Sequence, residues 1–252
     1  AELSDARPRW ETIMNARPLF FLVPILIALA ITRPAAADDA GTLIDAVLSA
    51  YGGWARLSTV TGYRVEGKIL TGHQEADKPT LRLFARPSRL KIVIEHPGRT
   101  EVRLLDGAKG WRSGPGRTLV EAEGVMLDSM VLQAARANLP WILAERRSVV
   151  KLGDPFVVMG RSLASLVVPL GEGLTLTAFV DPATHLIDRV ITQLDRPAMT
   201  TGFEARFSDF REVEGVRFPF REENFASGAH TASTQILKLT LNPKLTETDF
   251  RP

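Results

Sequence analysis

The 252-residue chain contains no cysteine. That absence removes disulfides, thiolate zinc sites, iron–sulfur clusters, a cysteine nucleophile and a lipid anchor on an N-terminal cysteine. Histidine is scarce too. His73, His96, His185 and His230 are the four, none within five residues of another, and each falls at an expected turn or strand end. No H-x-x-x-H pair and no acidic metal-loop spacing accompanies them, so each reads as a solvated turn residue. The chain also lacks a G-x-S-x-G elbow, a G-x-G-x-x-G loop and a G-x-x-x-x-G-K-[ST] loop. The paired acids Glu121/Glu123 and Glu222/Glu223 read as solvated charge on exposed strand ends and turns. No catalytic residue, metal site or cofactor is expected. Charge of one sign is missing as well: 31 Lys+Arg stand against 29 Asp+Glu, a net +2 that offers no footprint for nucleic acid.

One dense apolar run stands near the start. Leu19 to Ile31 carries no charge, Arg17 precedes it, and Ala35-Ala36-Ala37 follows before Asp38-Asp39. A basic region, an apolar stretch and an A-x-A site are the three parts of a secretory signal peptide. The run is short for a bilayer span of about 20 residues and contains Pro24; a short uncleaved anchor is the alternative. We expect residues 14–37 to be a leader cleaved after Ala37. Residues 1–13, upstream of Met14, read as an extension that is not native, and residues 38–252 as one domain.

Within that domain Asp38-Asp39 can cap a helix whose apolar positions Leu43, Ile44, Val47, Leu48 and Tyr51 follow helical spacing. Gly52-Gly53 stops it. From Val60 the period changes to two: Tyr63, Val65, Gly67 and Ile69 alternate with Arg64, Glu66 and Lys68, and comparable runs follow around Leu81–Leu83, Leu90–Ile94, Val102–Leu104 and 109–113. Such alternation predicts antiparallel strands with one buried and one wet face. Residues 125–147 return to helical spacing through Met126, Met130, Val131, Ala134 and Ala135, broken by Asn138-Leu139-Pro140 and followed by Trp141, Ile142 and Leu143. Strands then resume near 156–168, 173–180, 186–194, 202–211, 216–225 and 233–241. The fold class expected is mainly β (α+β): a single strongly curved antiparallel sheet of about eleven strands forming an unclosed barrel, with an N-terminal helix and an internal helical lid.

A sheet of that size needs its apolar face covered, and two short helical segments supply little cover. The space beneath is either a ligand cavity or an ordinary core filled by side chains. For a cavity, the lining candidates are Tyr63, Val65, Ile69, Leu83, Ile92 and Ile94 on the strands, with Trp111, Met126, Met130 and Trp141 on the lid side. Unbranched methionines suit a lid that repacks around variable ligands.

Turn and strand motifs then bring a family into view. They are Tyr51-Gly52-Gly53-Trp54, Val65-Glu66-Gly67, the run Leu105-Asp106-Gly107-Ala108-Lys109-Gly110-Trp111, Phe179-Val180-Asp181-Pro182 before Leu186-Ile187, Phe207-Ser208-Asp209-Phe210, Glu214-Gly215-Val216-Arg217-Phe218-Pro219, and Leu241-Asn242-Pro243-Lys244 with Phe250-Arg251-Pro252. With the order of elements, this resembles the outer-membrane lipoprotein carrier superfamily (LolA/LolB-like, including outer-membrane lipoprotein-sorting proteins) across about residues 38 to 252. The resemblance implies a half-barrel plugged by helices, a periplasmic location and an apolar cavity that shelters acyl chains. No ligand-gripping residue transfers position by position.

Two functions follow as expectations. One is a non-enzymatic, monomeric periplasmic binder or carrier of an acylated or lipid-like ligand, lipoproteins among them, with transient envelope protein partners and no nucleic acid. The other is an envelope sensor or protein-interaction domain on the same scaffold, favoured by a small cavity and an apolar exposed strand edge. An outer-membrane β-barrel would show similar alternation, but aromatics are only 7% of the chain, without girdles at strand ends.

Overall fold

The computed structural model describes residues 39–72, 76–113, 118–171, 173–196 and 199–252. The expected leader and upstream extension and His73 lie outside these residues. Helix α1 (Ala40–Ala50) begins where Asp39 accepts a hydrogen bond from the Gly41 amide at 3.1 Å. It buries Leu43, Ile44, Val47 and Leu48, the stripe read from spacing. Gly52 and Gly53 leave the helix with φ of 119° and 81°, in the region where a side chain is strained. A single turn, α2 (Trp54–Leu57), follows.

The first meander comprises β1 (Gly62–Thr71), β2 (Lys78–Ala85), β3 (Arg89–His96), β4 (Arg99–Asp106), β5 (Lys109–Ser113) and β6 (Leu119–Ala122). Helices α3 (Gly124–Ala137) and α4 (Trp141–Glu145) intervene, broken at Asn138-Leu139-Pro140 because proline offers no N–H to continue the ladder. The second meander runs through β7 (Lys151–Val158), β8 (Arg161–Gly171), β9 (Leu174–Val180), β10 (Ile187–Arg196), β11 (Met199–Val213), β12 (Val216–Ala226) and β13 (Ala229–Leu241), and a 3-10 turn (Glu247–Phe250) comes last.

All thirteen strands form one sheet in the order β6-β5-β4-β3-β2-β1-β13-β12-β11-β10-β9-β8-β7, and each neighbouring pair is antiparallel. The two meanders meet at one seam, where Tyr63 pairs with Leu241 and Val65 with Leu239. The expectation of about eleven strands is therefore corrected to thirteen. Strand β6 is only four residues long and offers almost no alternation to read. The stretch taken as one strand near 156–168 belongs to a hairpin, β7–β8, that turns at Met159-Gly160 with φ of 48° and 74°. A left-handed methionine carries none of the Asn-Gly or Asp-Gly chemistry that announces such a turn.

Helix α3 touches β3, β4 and β5 from one half of the sheet and β9 and β10 from the other. In a flat sheet, β4 and β10 would lie about 34 Å apart at the usual strand spacing, and a helix is only about 10–12 Å across. The sheet must curl around α3 to make both sets of contacts. Its edges, β6 and β7, stay unpaired with each other among the described residues.

The inner face holds the main core. Tyr63, Val65, Phe84 and Leu90 join Trp141, Leu143, Val216 and Phe218 there, together with the buried stripe of α1. The outer face has a smaller cluster of its own, in which Leu83 and Leu104 pack with Phe250, flanked by Leu81, Trp111 and Leu245. The C-terminal segment thus covers an outer apolar row, pinned by Lys91 Nζ donating to the Asp249 carbonyl at 3.0 Å.

Candidate functional site

Between the inner face and the C-terminal half of α3 lies a cavity of about 50 Å³. Val65, Leu90, Ile92, Phe207, Phe218 and Ile236 supply its apolar wall, while Gln133, Arg136, Ala137 and Leu139 supply the helical side. Arg82 and Glu222 enter from β2 and β12. An aromatic cluster braces one end: Tyr63 lies 5.2 Å from Phe84, 5.6 Å from Phe218 and 6.4 Å from Trp141 between ring centroids.

Hydrogen bonds hold the helices against the sheet. Tyr63 Oη donates to the carbonyl of Ala137 at 2.8 Å, and Trp141 Nε1 donates to that of Leu57 at 2.7 Å. Burial pushes the Tyr63 phenol up to about 12, partly offset by the nearby Arg82 charge, so it stays a neutral donor. Asn138 Nδ2 donates to Glu145 Oε2 at 2.6 Å, and Arg86 Nη2 donates to Oε1 of the same carboxylate at 2.7 Å. Toward the other end of α3, Arg196 on β10 is bonded to Asp128 through Nε and Nη2.

The charged groups in the cavity are the feature the alternation pattern concealed. Arg82 donates twice to Glu222, Nη1 to Oε1 and Nη2 to Oε2, both at 2.8 Å. Their side chains are only 17% and 5% exposed. Burial alone would raise the Glu222 carboxyl, but the charge and hydrogen bonds of Arg82, with Arg136 adding, outweigh it and hold the group below its ordinary value. Arg82 is lowered by burial and raised more strongly by Glu222, ending above its ordinary range. The reading of Glu222 as solvated charge is therefore corrected; Glu223 does keep a side chain 34% exposed, paired with Arg221 at 3.0 Å.

Of the residues expected to line a cavity, Tyr63, Val65 and Ile92 do so together. Leu83 and Trp111 lie in the outer cluster. Ile94 is buried without reaching the cavity, and Ile69 is only partly buried. Met130 and Trp141 are buried in the inner core rather than lining the space, and Met126, in the first turn of α3, is 37% exposed. The physical reason for the β2 mismatch is strand phase. Val65 is paired with Arg82 and Ile92 also faces Arg82, so β2 turns its arginine inward and its leucines out. Tyr63↔Phe84 in the same register was the available signal: it places Phe84, and with it Arg82, on the inner side.

Among the described residues, no three His, Asp or Glu side chains gather closely enough to hold a metal ion. His96 Nε2 lies 3.3 Å from Glu101 Oε2, and His230 Nε2 lies 3.1 Å from Ser233 Oγ.

The open antiparallel sheet wrapped on helices resembles the fold of solved structures that include a LolA superfamily protein. A LolA superfamily protein from Nitrosomonas europaea superposes with a TM-score of 0.59 at 13% identity, over 85% of this chain and 98% of that one. A putative outer membrane lipoprotein-sorting protein domain from Vibrio parahaemolyticus gives 0.53 at 11% identity, over 83% and 95%. A DUF1329 family protein from Desulfovibrio piger gives 0.55 at 13% identity, over 85% and 98%. No family model and no curated protein matches the chain. At such identities the likeness is one of fold.

Proposed function

We propose that this protein is a periplasmic binding or carrier protein that shelters an acyl chain, or another apolar body such as that of a lipoprotein, between the curved sheet and α3. The carrying observation is the cavity itself: an apolar wall from both meanders, roofed by a helix that is separate from the sheet's own ladder. Sheltering apolar surface there is worth about 0.8 kcal/mol per buried methylene. The fold shared with a LolA superfamily protein and a lipoprotein-sorting domain supports the same reading, and the leader-like segment at residues 14–37 supports export.

At about 50 Å³ the space is smaller than the engineered cavity of about 150 Å³ that admits benzene. An acyl chain enters only if α3 moves outward or repacks. Loading is thus coupled to lid displacement, and the contacts through Asp128, Asn138 and Tyr63 set its cost. Native mass spectrometry of protein purified without detergent tests the reading. Copurifying acyl lipid, or uptake of a fatty acid from solution, is the expected result. A protein that carries none and takes up none is not a carrier.

A second reading, a protein-interaction or sensing domain, draws support from the small cavity and from the edge at β7, unpaired among the described residues. Leu152 is 41% exposed, Val157 70% and Met159 95% along that edge strand and its turn. Recovery of one defined protein partner by crosslinking from the β7–β8 turn, without lipid, would favour it.

A further inference from the structure

Arg82 and Arg136 line the cavity, and Arg103 is close enough for Arg136 to feel its charge. Arg82 has Glu222 as a bidentate partner. Arg103, on β4 and inward-facing through its register with Ile92, has Glu101, with Nε at 3.0 Å and Nη2 at 2.7 Å. Arg136, on α3, lines the cavity, and among the described residues its side chain makes neither a hydrogen bond nor an ion pair. Burial disfavours its protonated form most; the charge of Glu222 opposes that, while those of Arg82 and Arg103 add to it, and the balance lowers the group from its ordinary value. An uncompensated cation beside an apolar cavity is costly. Arg136 is partly buried and contributes to the cavity lining.

Gln133 is one turn earlier on the same helix face and also lines the cavity, and among the described residues its side chain likewise has no hydrogen-bond partner. Two sets of unused donors therefore project from α3 toward a space whose opposite wall is apolar. A guanidinium and a carboxamide at this spacing match the oxygens of a carboxylate or phosphate.

We propose that the ligand is an anionic amphiphile, its acidic head group held by Arg136 and Gln133 and its apolar body laid against Val65, Ile92, Phe218 and Ile236. This deepens the carrier reading and rests on it. The head group's charge neutralises Arg136 on the helix that must move for loading, so binding itself would restore charge balance beneath the lid. A neutral lipid fills the same space but leaves Arg136 uncompensated.

The test compares laurate and dodecyl phosphate with dodecanol and with inorganic phosphate, by titration calorimetry below the critical micelle concentrations. Both acids should bind at least tenfold more tightly than dodecanol, and inorganic phosphate alone should bind far more weakly than dodecyl phosphate. Arg136→Met should erase the preference for the acids while leaving dodecanol affinity within about twofold, and Arg136→Lys should retain part of it. Its unfolding midpoint should equal or exceed that of the wild type, since a near-isosteric apolar chain replaces an unpaired charge. Equal affinity for laurate and dodecanol in the wild type, or equal weakening of all three by Arg136→Met, overturns the acidic head group and leaves the carrier reading intact. Binding of inorganic phosphate as tight as that of dodecyl phosphate points to a free anion and overturns the amphiphile. Binding of none of the four removes the carrier reading along with the proposal.

Discussion

At the residue scale the Arg82–Glu222 pair concentrates the most consequence in the fewest atoms. Neither group could be buried without the other. Glu222→Gln leaves Arg82 uncompensated and is expected to cost about 3 kcal/mol, measured by urea unfolding at neutral pH. The double replacement Arg82→Met with Glu222→Leu should recover most of that loss. The same pair sets an acid limit. Because the folded Glu222 carboxyl titrates below its ordinary value of 4.5, its contribution is complete above that value and lost as pH falls through the lower folded one. Wild-type stability should therefore drop more steeply below pH 4.5 than that of Glu222→Gln, and parallel pH profiles would refute the assignment. Gly52 is a second sensitive position. Its φ of 119°, and the carbonyl oxygen of Gly215 where a Cβ would lie, make Gly52→Ala expensive by about 2 kcal/mol. Both glycines were visible in the sequence as punctuation. The inward pair was not, because alternation gives two phases and the leucines of β2 pointed to the wrong one. An outer apolar row waiting for Phe250 reads the same as a core row until the C-terminal segment is placed.

Elements were more legible than residues. The α1 stripe and the helical character of 125–147 follow from spacing alone, and Pro140 divides α3 from α4 as its chemistry requires. What spacing could not supply was attachment. Trp141 is fully buried, donates to Leu57, and stacks 5.7 Å beneath the Arg86 guanidinium. Trp141→Ala should lower stability by about 4 kcal/mol, read from denaturant midpoints, and should release α4 from α2. At the other end, Asp128 is the acid to which Arg196 ties α3. Asp128→Ala should cost about 1 kcal/mol or less globally while speeding amide hydrogen exchange selectively in α3. Uniform acceleration across the sheet would mean that this contact is not a local latch. The β7–β8 hairpin escaped detection for a different reason. Its turn uses Met159-Gly160, both at positive φ, a conformation that methionine does not announce.

The whole molecule is an open sheet whose curvature is imposed by what it wraps. The expectation of one antiparallel sheet with helical cover holds; the strand count is thirteen rather than about eleven, and of the expected lining Tyr63, Val65 and Ile92 reach the cavity. Exposed apolar side chains gather toward the unpaired margins, with Val120 at β6, Val125 and Met126 at the start of α3, and Leu152 and Val157 at β7. Such margins can template pairing with another chain. Replacing Val157 with lysine on this edge should suppress concentration-dependent association, followed by light scattering, with little effect on the unfolding midpoint. Unchanged scattering would clear the β7 edge of that role.

The seam between β1 and β13 has a temporal meaning as well as a spatial one. Among the described residues the first strand, β1, is hydrogen-bonded to the last, β13, so one side of β1 stays without its partner until β13 has been synthesised. Each meander can zip locally, but joining them requires closure across most of the sequence, the kind of distant pairing that slows folding. A chain emerging from the ribosome therefore carries an open strand edge for most of the time its strands are being made, exposed to pairing with another chain.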